Sequence, residues 1–88
     1  MVSLYPDQVS GDLLTGKEGA GAATATCRSG QVVIAGSYTD QRGGFAGSPK
    51  VSLDYAQSRV SVAVTFVKSN NGQFTNQIRA VADCIGAR

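Results

Sequence analysis

The most regular stretch of the chain alternates between apolar and small or polar positions: Val60, Val62, Val64 and Phe66 stand between Ser61, Ala63 and Thr65. A period of two belongs to a β-strand with one buried and one wetter face. Ile78, Ala80, Ala82 and Cys84 alternate in the same way with Arg79, Val81 and Asp83. Between the two segments, Lys68-Ser69-Asn70-Asn71-Gly72-Gln73 offers an Asn-Gly pair that tolerates positive φ. Residues 58 to 85 therefore read as a β-hairpin.

Three further strands are expected upstream. Ala23 to Cys27 carries small residues on one face, Gln31 to Tyr38 is rich in β-branched residues, and Val51, Leu53 and Tyr55 alternate with Ser52 and Asp54. Arg28-Ser29-Gly30 and Gln57-Ser58 break the chain, while Thr39 to Pro49, with Gly43, Gly44 and Gly47, reads as an extended loop. Short connections and the lack of a helical period predict an all-β fold. The expectation is a small antiparallel β-sandwich or barrel of about five or six strands spanning residues 20 to 88. Residues 1 to 19 are less regular. Leu4, Tyr5, Val9, Leu13 and Leu14 fall among Pro6, Gly11, Gly16 and Gly19, which fits either an extra strand or an N-terminal arm that docks on a neighbouring subunit.

Eighty-eight residues support one core, near the size at which a staple or a partner contributes much of the stability. Cys27 and Cys84 are even in number and share an inward face, so a disulfide is expected. Two separately buried thiols are the alternative, because free cysteine packs as a small hydrophobe. A bond closing so long a loop would remove about 4 kcal/mol of unfolded-chain entropy. It would also place the domain outside the reducing cytosol.

Charge and residue types narrow the chemistry. Eight basic and six acidic residues, net +2, are dispersed along the chain and form no stripe to follow a phosphate backbone, so no nucleic-acid partner is expected. No segment approaches the roughly 20 apolar residues of a membrane helix, and Met1 to Asp7 lacks the basic and apolar regions of a signal peptide. The expected explanations are an exported protein trimmed of its leader, or a particle component released by lysis. The chain has no histidine, which removes the commonest nucleophile-activating pairs, and two cysteines without histidine fall short of a zinc site. Asp7, Asp12, Glu18, Asp40, Asp54 and Asp83 show no spacing that pairs carboxylates on one strand face. Gly11 to Lys17 matches G-x-x-x-x-G-K, but Glu18 follows the lysine and no strand-to-helix context surrounds it. No catalytic residue, metal or cofactor is assigned.

The loop Asp40-Gln41-Arg42-Gly43-Gly44-Phe45-Ala46-Gly47 is the best contact candidate. Arg and Phe are enriched at interface hot spots, and Phe45 has no strand face of its own. Two roles fit Phe45: a contact residue, or a lid folded onto one end of the core. Asn70 and Asn71 could bind a partner through their amides or simply form the turn.

The run from Cys27 to Tyr38 (Cys27-Arg28-Ser29-Gly30, then Ala35-Gly36-Ser37-Tyr38), with Ala80-Val81-Ala82-Asp83-Cys84 near the end, resembles small secreted bacterial one-disulfide β-domains found in surface, pilus-tip and phage-fibre proteins. In those, Cys-Pro-x-Gly opens a strand ending Gly-Gly-Tyr and a later strand carries the second Cys. Here Arg28 replaces Pro, Ser37 replaces the second Gly, and Arg59 stands near the place of a frequent Trp. The resemblance spans about residues 23 to 85. It implies a Cys27 to Cys84 disulfide and an extracellular, cell-surface or virion location, and transfers no binding residue.

The functional expectation is a non-enzymatic structural or binding module. It would assemble with neighbouring protein subunits, as a homo-oligomer or within a pilus or phage particle, and present a contact loop to a receptor or glycan. A small secreted enzyme inhibitor is the alternative, since a braced β-scaffold lowers the entropic cost of presenting a loop. A carbohydrate-acting enzyme is a third reading, without a recognisable acid-base pair.

Overall fold

The alternating segments line the facing sides of two sheets. In the computed structural model, which describes residues 3–16, 18–67 and 76–87, six strands follow in order: β1 (Leu4–Gly16), β2 (Gly19–Thr26), β3 (Gln31–Arg42), β4 (Lys50–Asp54), β5 (Arg59–Phe66) and β6 (Asn76–Ala87). One sheet has the order β1-β6-β3 and the other β2-β5-β4, every pairing antiparallel. The fold is an all-β sandwich. Its core joins Val60, Val62, Val64 and Phe66 of β5 to Ile78, Ala80, Ala82 and Cys84 of β6, with Ala23, Ala25 and Val33 beside them. β5 and β6 are each the middle strand of their sheet, which is why they alternate most strictly.

One expectation needs correction. β5 and β6 do not form a hairpin, because β5 pairs with β2 and β4 while β6 pairs with β1 and β3. Alternation reports which side of a strand is buried and says nothing about its partner, and in a sandwich the inward faces of both sheets look alike in sequence. The expected Asn-Gly turn, with Asn70 and Asn71, lies outside the described residues. β4 and β5 do form a hairpin. In its turn Asp54 Oδ1 accepts the Gln57 N–H at 3.2 Å, and Ser58 takes a φ of 50°.

The expected loop from Thr39 also begins later. β3 runs on through Arg42, with an irregularity between Thr39 and Arg42 and a φ of 57° at Asp40. Polar residues exposed on both faces of an edge strand carry no alternation, so this stretch reads as loop.

β1 lies along β6 from Leu4 opposite Ala87 to Gly16 opposite Asn76, with one extra residue between Ser10 and Leu13. The bulge changes the parity of the strand. Tyr5 and Val9 turn inward before it and Leu14 after it, so a strict period of two is lost. Gly11 sits at the bulge, where a Cβ would meet the Thr24 carbonyl of β2, and the close approach seals one side of the sandwich. The stretch that matches a phosphate loop is thus extended β1.

Cys27, just beyond β2, is disulfide-bonded to Cys84 of β6 across a sequence separation of 57, with Cα atoms 5.9 Å apart. The bond ties one sheet to the central strand of the other. The opposite end of the core is closed by Phe45, whose ring meets Phe66 edge-on at 5.3 Å and 75°. Fully buried Asn76 secures that loop: its Oδ1 accepts the Gly44 N–H at 2.9 Å and its Nδ2 donates to the Val67 carbonyl at 2.8 Å.

Candidate contact surface

Of the residues singled out from sequence, those of the 40 to 42 stretch lie at one end of the β1-β6-β3 sheet and those of β1 run its length. Asp40, Gln41 and Arg42 are exposed at the end of β3. There the Asp40 carboxylate lies 3.5 Å from Arg79 Nη1, and its backbone carbonyl accepts from Gln77 Nε2 at 3.2 Å. Phe45 is turned onto the core and contributes little to this surface. At the other end Leu4 is exposed, while Tyr5 packs over Gly86. Val9 and Leu14 are half-buried against the core, and Leu13 is exposed on the outer face. Arg42 stands opposite Gln77 and Leu4 opposite Ala87, about 33 Å apart along β6 at the rise of a strand. The N-terminal set is spread over that whole length: Leu13 pairs with Arg79, the partner of Asp40, while Leu4 and Tyr5 lie at the far end, so the set does not form one site.

Antiparallel partners share a face, so the outer side of this sheet can be read row by row. Pro6, Ile85 and Val32 form one row; Gln8, Asp83 and Ala35 the next; Ser10, Val81 and Ser37 the third. Leu4 precedes the first row. Ile34 follows Val32 on the same outward side by simple alternation, and the extra residue between Val33 and Ala35 leaves Ile34 and Ala35 facing out together. Ile34 there lines a shallow depression with Pro6, Gln8 and Asp83. Leu4, Val32 and Ile34 are 68%, 55% and 52% exposed. Together with Pro6 and Ile85 they make an aliphatic patch, bordered by the hydrogen bond from Gln8 Nε2 to Asp83 Oδ1 at 3.0 Å. Sequence reasoning missed Pro6, Val32, Ile34 and Ile85. A signal existed: in Val32-Val33-Ile34 a regular strand can bury only the middle residue, so the others must face solvent, a bulge or a partner.

The inner side of the same end is pinned by polar groups. Asp7 Oδ2 accepts from Gln31 Nε2 at 3.0 Å, Gln31 Oε1 accepts the Arg28 N–H at 3.0 Å, and Asp7 Oδ1 accepts the Gln8 N–H at 2.9 Å. These bonds, the Gln31 amide foremost, then the Gln8 N–H and the more distant charge of Arg28, hold the Asp7 carboxyl below the ordinary value of 3.8. Arg28 Nε is 3.8 Å away on a side chain 73% exposed, so this ion pair contributes little. The lock fixes the start of β1 to the turn between β2 and β3.

Little here favours bond-breaking chemistry. Asp7 and Asp83, the closest carboxylates in the β1 and β6 register, lie on opposite faces of their sheet, and each already accepts from an amide. Among the described residues no group of three or more His, Cys, Asp or Glu side chains is placed to hold a metal, and no helix is long and apolar enough to cross a membrane. No protein-family model, no curated protein and no solved structure matches this chain.

Proposed function

We propose that this chain is a non-enzymatic structural or binding module of an extracellular or virion assembly, packing against neighbouring subunits through the outer face of the β1-β6-β3 sheet. The observation that carries this reading is the aliphatic patch on the outer face of that sheet, where Leu4, Pro6, Val32 and Ile34 are exposed around half-buried Ile85. Contiguous apolar surface of this kind marks association sites. The inter-sheet disulfide suits an oxidising compartment, and the resemblance to one-disulfide β-domains of surface, pilus-tip and phage-fibre proteins points the same way. Arg42, Gln41 and Asp40, exposed at the far end of the sheet, would meet a second partner such as a receptor or glycan.

Light scattering over a concentration series tests the assembly. Wild-type protein is expected to associate, and Val32→Asp with Ile34→Asp to reduce that association while preserving the melt. A strict monomer at the highest soluble concentration overturns the reading.

A further inference from the structure

We infer that β1 is an exchangeable strand: it can leave its own β6 and seat on the β6 of a second copy of this chain. The inference rests on the assembly reading and names the element that would link the subunits. Three observations carry it. First, β1 runs along a full edge of β6, yet none of its 13 residues is buried; the buried cluster is drawn from β2, β3, β5, β6 and Cys27, and β1 only packs against it through half-buried Val9 and Leu14. Second, β1 lies outside the loop closed by Cys27 and Cys84, so the bond that joins the sheets holds without it. Third, only residues 17 and 18 separate β1 from β2, and β2 begins at Gly19 with a φ of 115°. A strand of one sheet that is followed so closely by a strand of the other has the short link from which strands exchange between copies.

The occupant follows from the contacts. β1 pairs with β6 through eleven matched positions. Its further polar bonds reach Asp83 of β6, Gln31 at the start of β3 and Arg28 of the β2-β3 turn. Every one of those partners stays with the body of the domain when β1 leaves. A second copy's β1 would therefore restore each bond in the same register, and the bulge at Gly11 would meet the Thr24 carbonyl as it does within one chain. A strand of different sequence would have to supply a residue without a side chain at that crossing and a carboxylate opposite Gln31. Exchange keeps the native pairings and adds only the cost of association, so concentration drives it.

Cysteine cross-linking reads the exchange directly. Gln8 and Asp83 are opposite in register on the outer face, as are Ser10 and Val81, giving two independent probes. Single variants Gln8→Cys and Asp83→Cys are refolded together in a glutathione buffer; Ser10→Cys and Val81→Cys are treated likewise. The expected product is a heterodimer linked between positions 8 and 83, or 10 and 81, mapped by peptide mass spectrometry and rising with concentration. The double variant Gln8→Cys/Asp83→Cys, oxidised when dilute, should close within one chain and lose the ability to form it. Absence of both interchain links, with the double variants closing internally, overturns the exchange. If light scattering then still finds oligomers, the assembly reading survives without it, and if it finds monomers, both fall.

Discussion

Breaking the Cys27 to Cys84 bond should destabilise the domain by an amount that follows from its place in the chain. The bond closes a loop of 57 residue steps. The loop-closure relation gives an unfolded-state entropy loss of about 14 cal/mol/K for that length, or about 4 kcal/mol at 25 °C. Unfolding entropy near 2.1 cal/mol/K per residue amounts to about 185 cal/mol/K for this chain, so about 4 kcal/mol becomes a fall in Tm of about 20 °C. Net stabilities of small domains lie around 5 to 10 kcal/mol, so the reduced protein should remain folded near room temperature with little margin. Cleanest is a comparison of oxidised protein with protein unfolded, reduced and refolded in a reductant, because replacing the buried sulfurs with alanine adds a cavity cost. Circular dichroism melts give the Tm. Urea titrations give the midpoint, with a larger m-value for the reduced chain, whose denatured state is less compact. Cys84 is fully buried and Cys27 8% exposed, so reduction of the native protein should be slow and paced by opening of the fold. A Tm drop below about 5 °C, equivalent to about 1 kcal/mol on the same conversion, would refute the reasoning: it would mean that the denatured chain is held compact by something other than the bond.

Asn76→Ala leaves the Gly44 N–H and the Val67 carbonyl without their side-chain partner and should cost about 2 to 4 kcal/mol in urea titrations; a loss under about 0.5 kcal/mol would show that solvent replaces the amide. Phe45→Ala removes half of the edge-on pair with Phe66 and should cost about 2 kcal/mol, less than a fully buried phenylalanine because Phe45 is half-exposed. Asp7 has a folded pKa held below 3.8, so its stabilising contribution is present above the unfolded value and fades as pH falls through the folded one. Melts of Asp7→Asn taken from about pH 5 downward should therefore show a shallower acid decline than wild type, and identical slopes would remove Asp7 from the acid response.

The parts of this fold legible in the sequence are those where one physical requirement acts alone. β5 and β6 each sit in the middle of a sheet, so burial sets every second residue and Val60 to Phe66 and Ile78 to Cys84 declare themselves. Cys84 inherits its inward direction from the β6 pattern and Cys27 from the small-residue face of Ala23 to Cys27, which is why their pairing could be expected. Where two requirements compete, the pattern dissolves. In β1 the bulge near Gly11 must let the backbone pass Thr24, and the extra residue moves Leu14 onto the parity opposite to Val9. In β3 the extra residue between Val33 and Ala35 leaves Ile34 and Ala35 both facing out and reverses the parity of everything after them, so the alternation begun at Gln31 does not carry through the strand. The hairpin expected between β5 and β6 fails for another reason: which strand pairs with which is decided by the whole sandwich, and no local period records it. These same irregular strands, β1 and β3, carry the aliphatic patch and flank β6 on either side. Beyond the hint in Val32-Val33-Ile34, the patch is hard to read for the reason that makes it a candidate. A strand that need bury only one of its faces within its own domain can spend the other on a partner, and its sequence then answers to a surface that a single chain does not contain. The cross-linking between positions 8 and 83 and the light scattering of the Val32→Asp and Ile34→Asp variants examine the two sides of that claim. One asks whether β1 is committed to its own β6, the other whether the face it helps to build is committed to solvent.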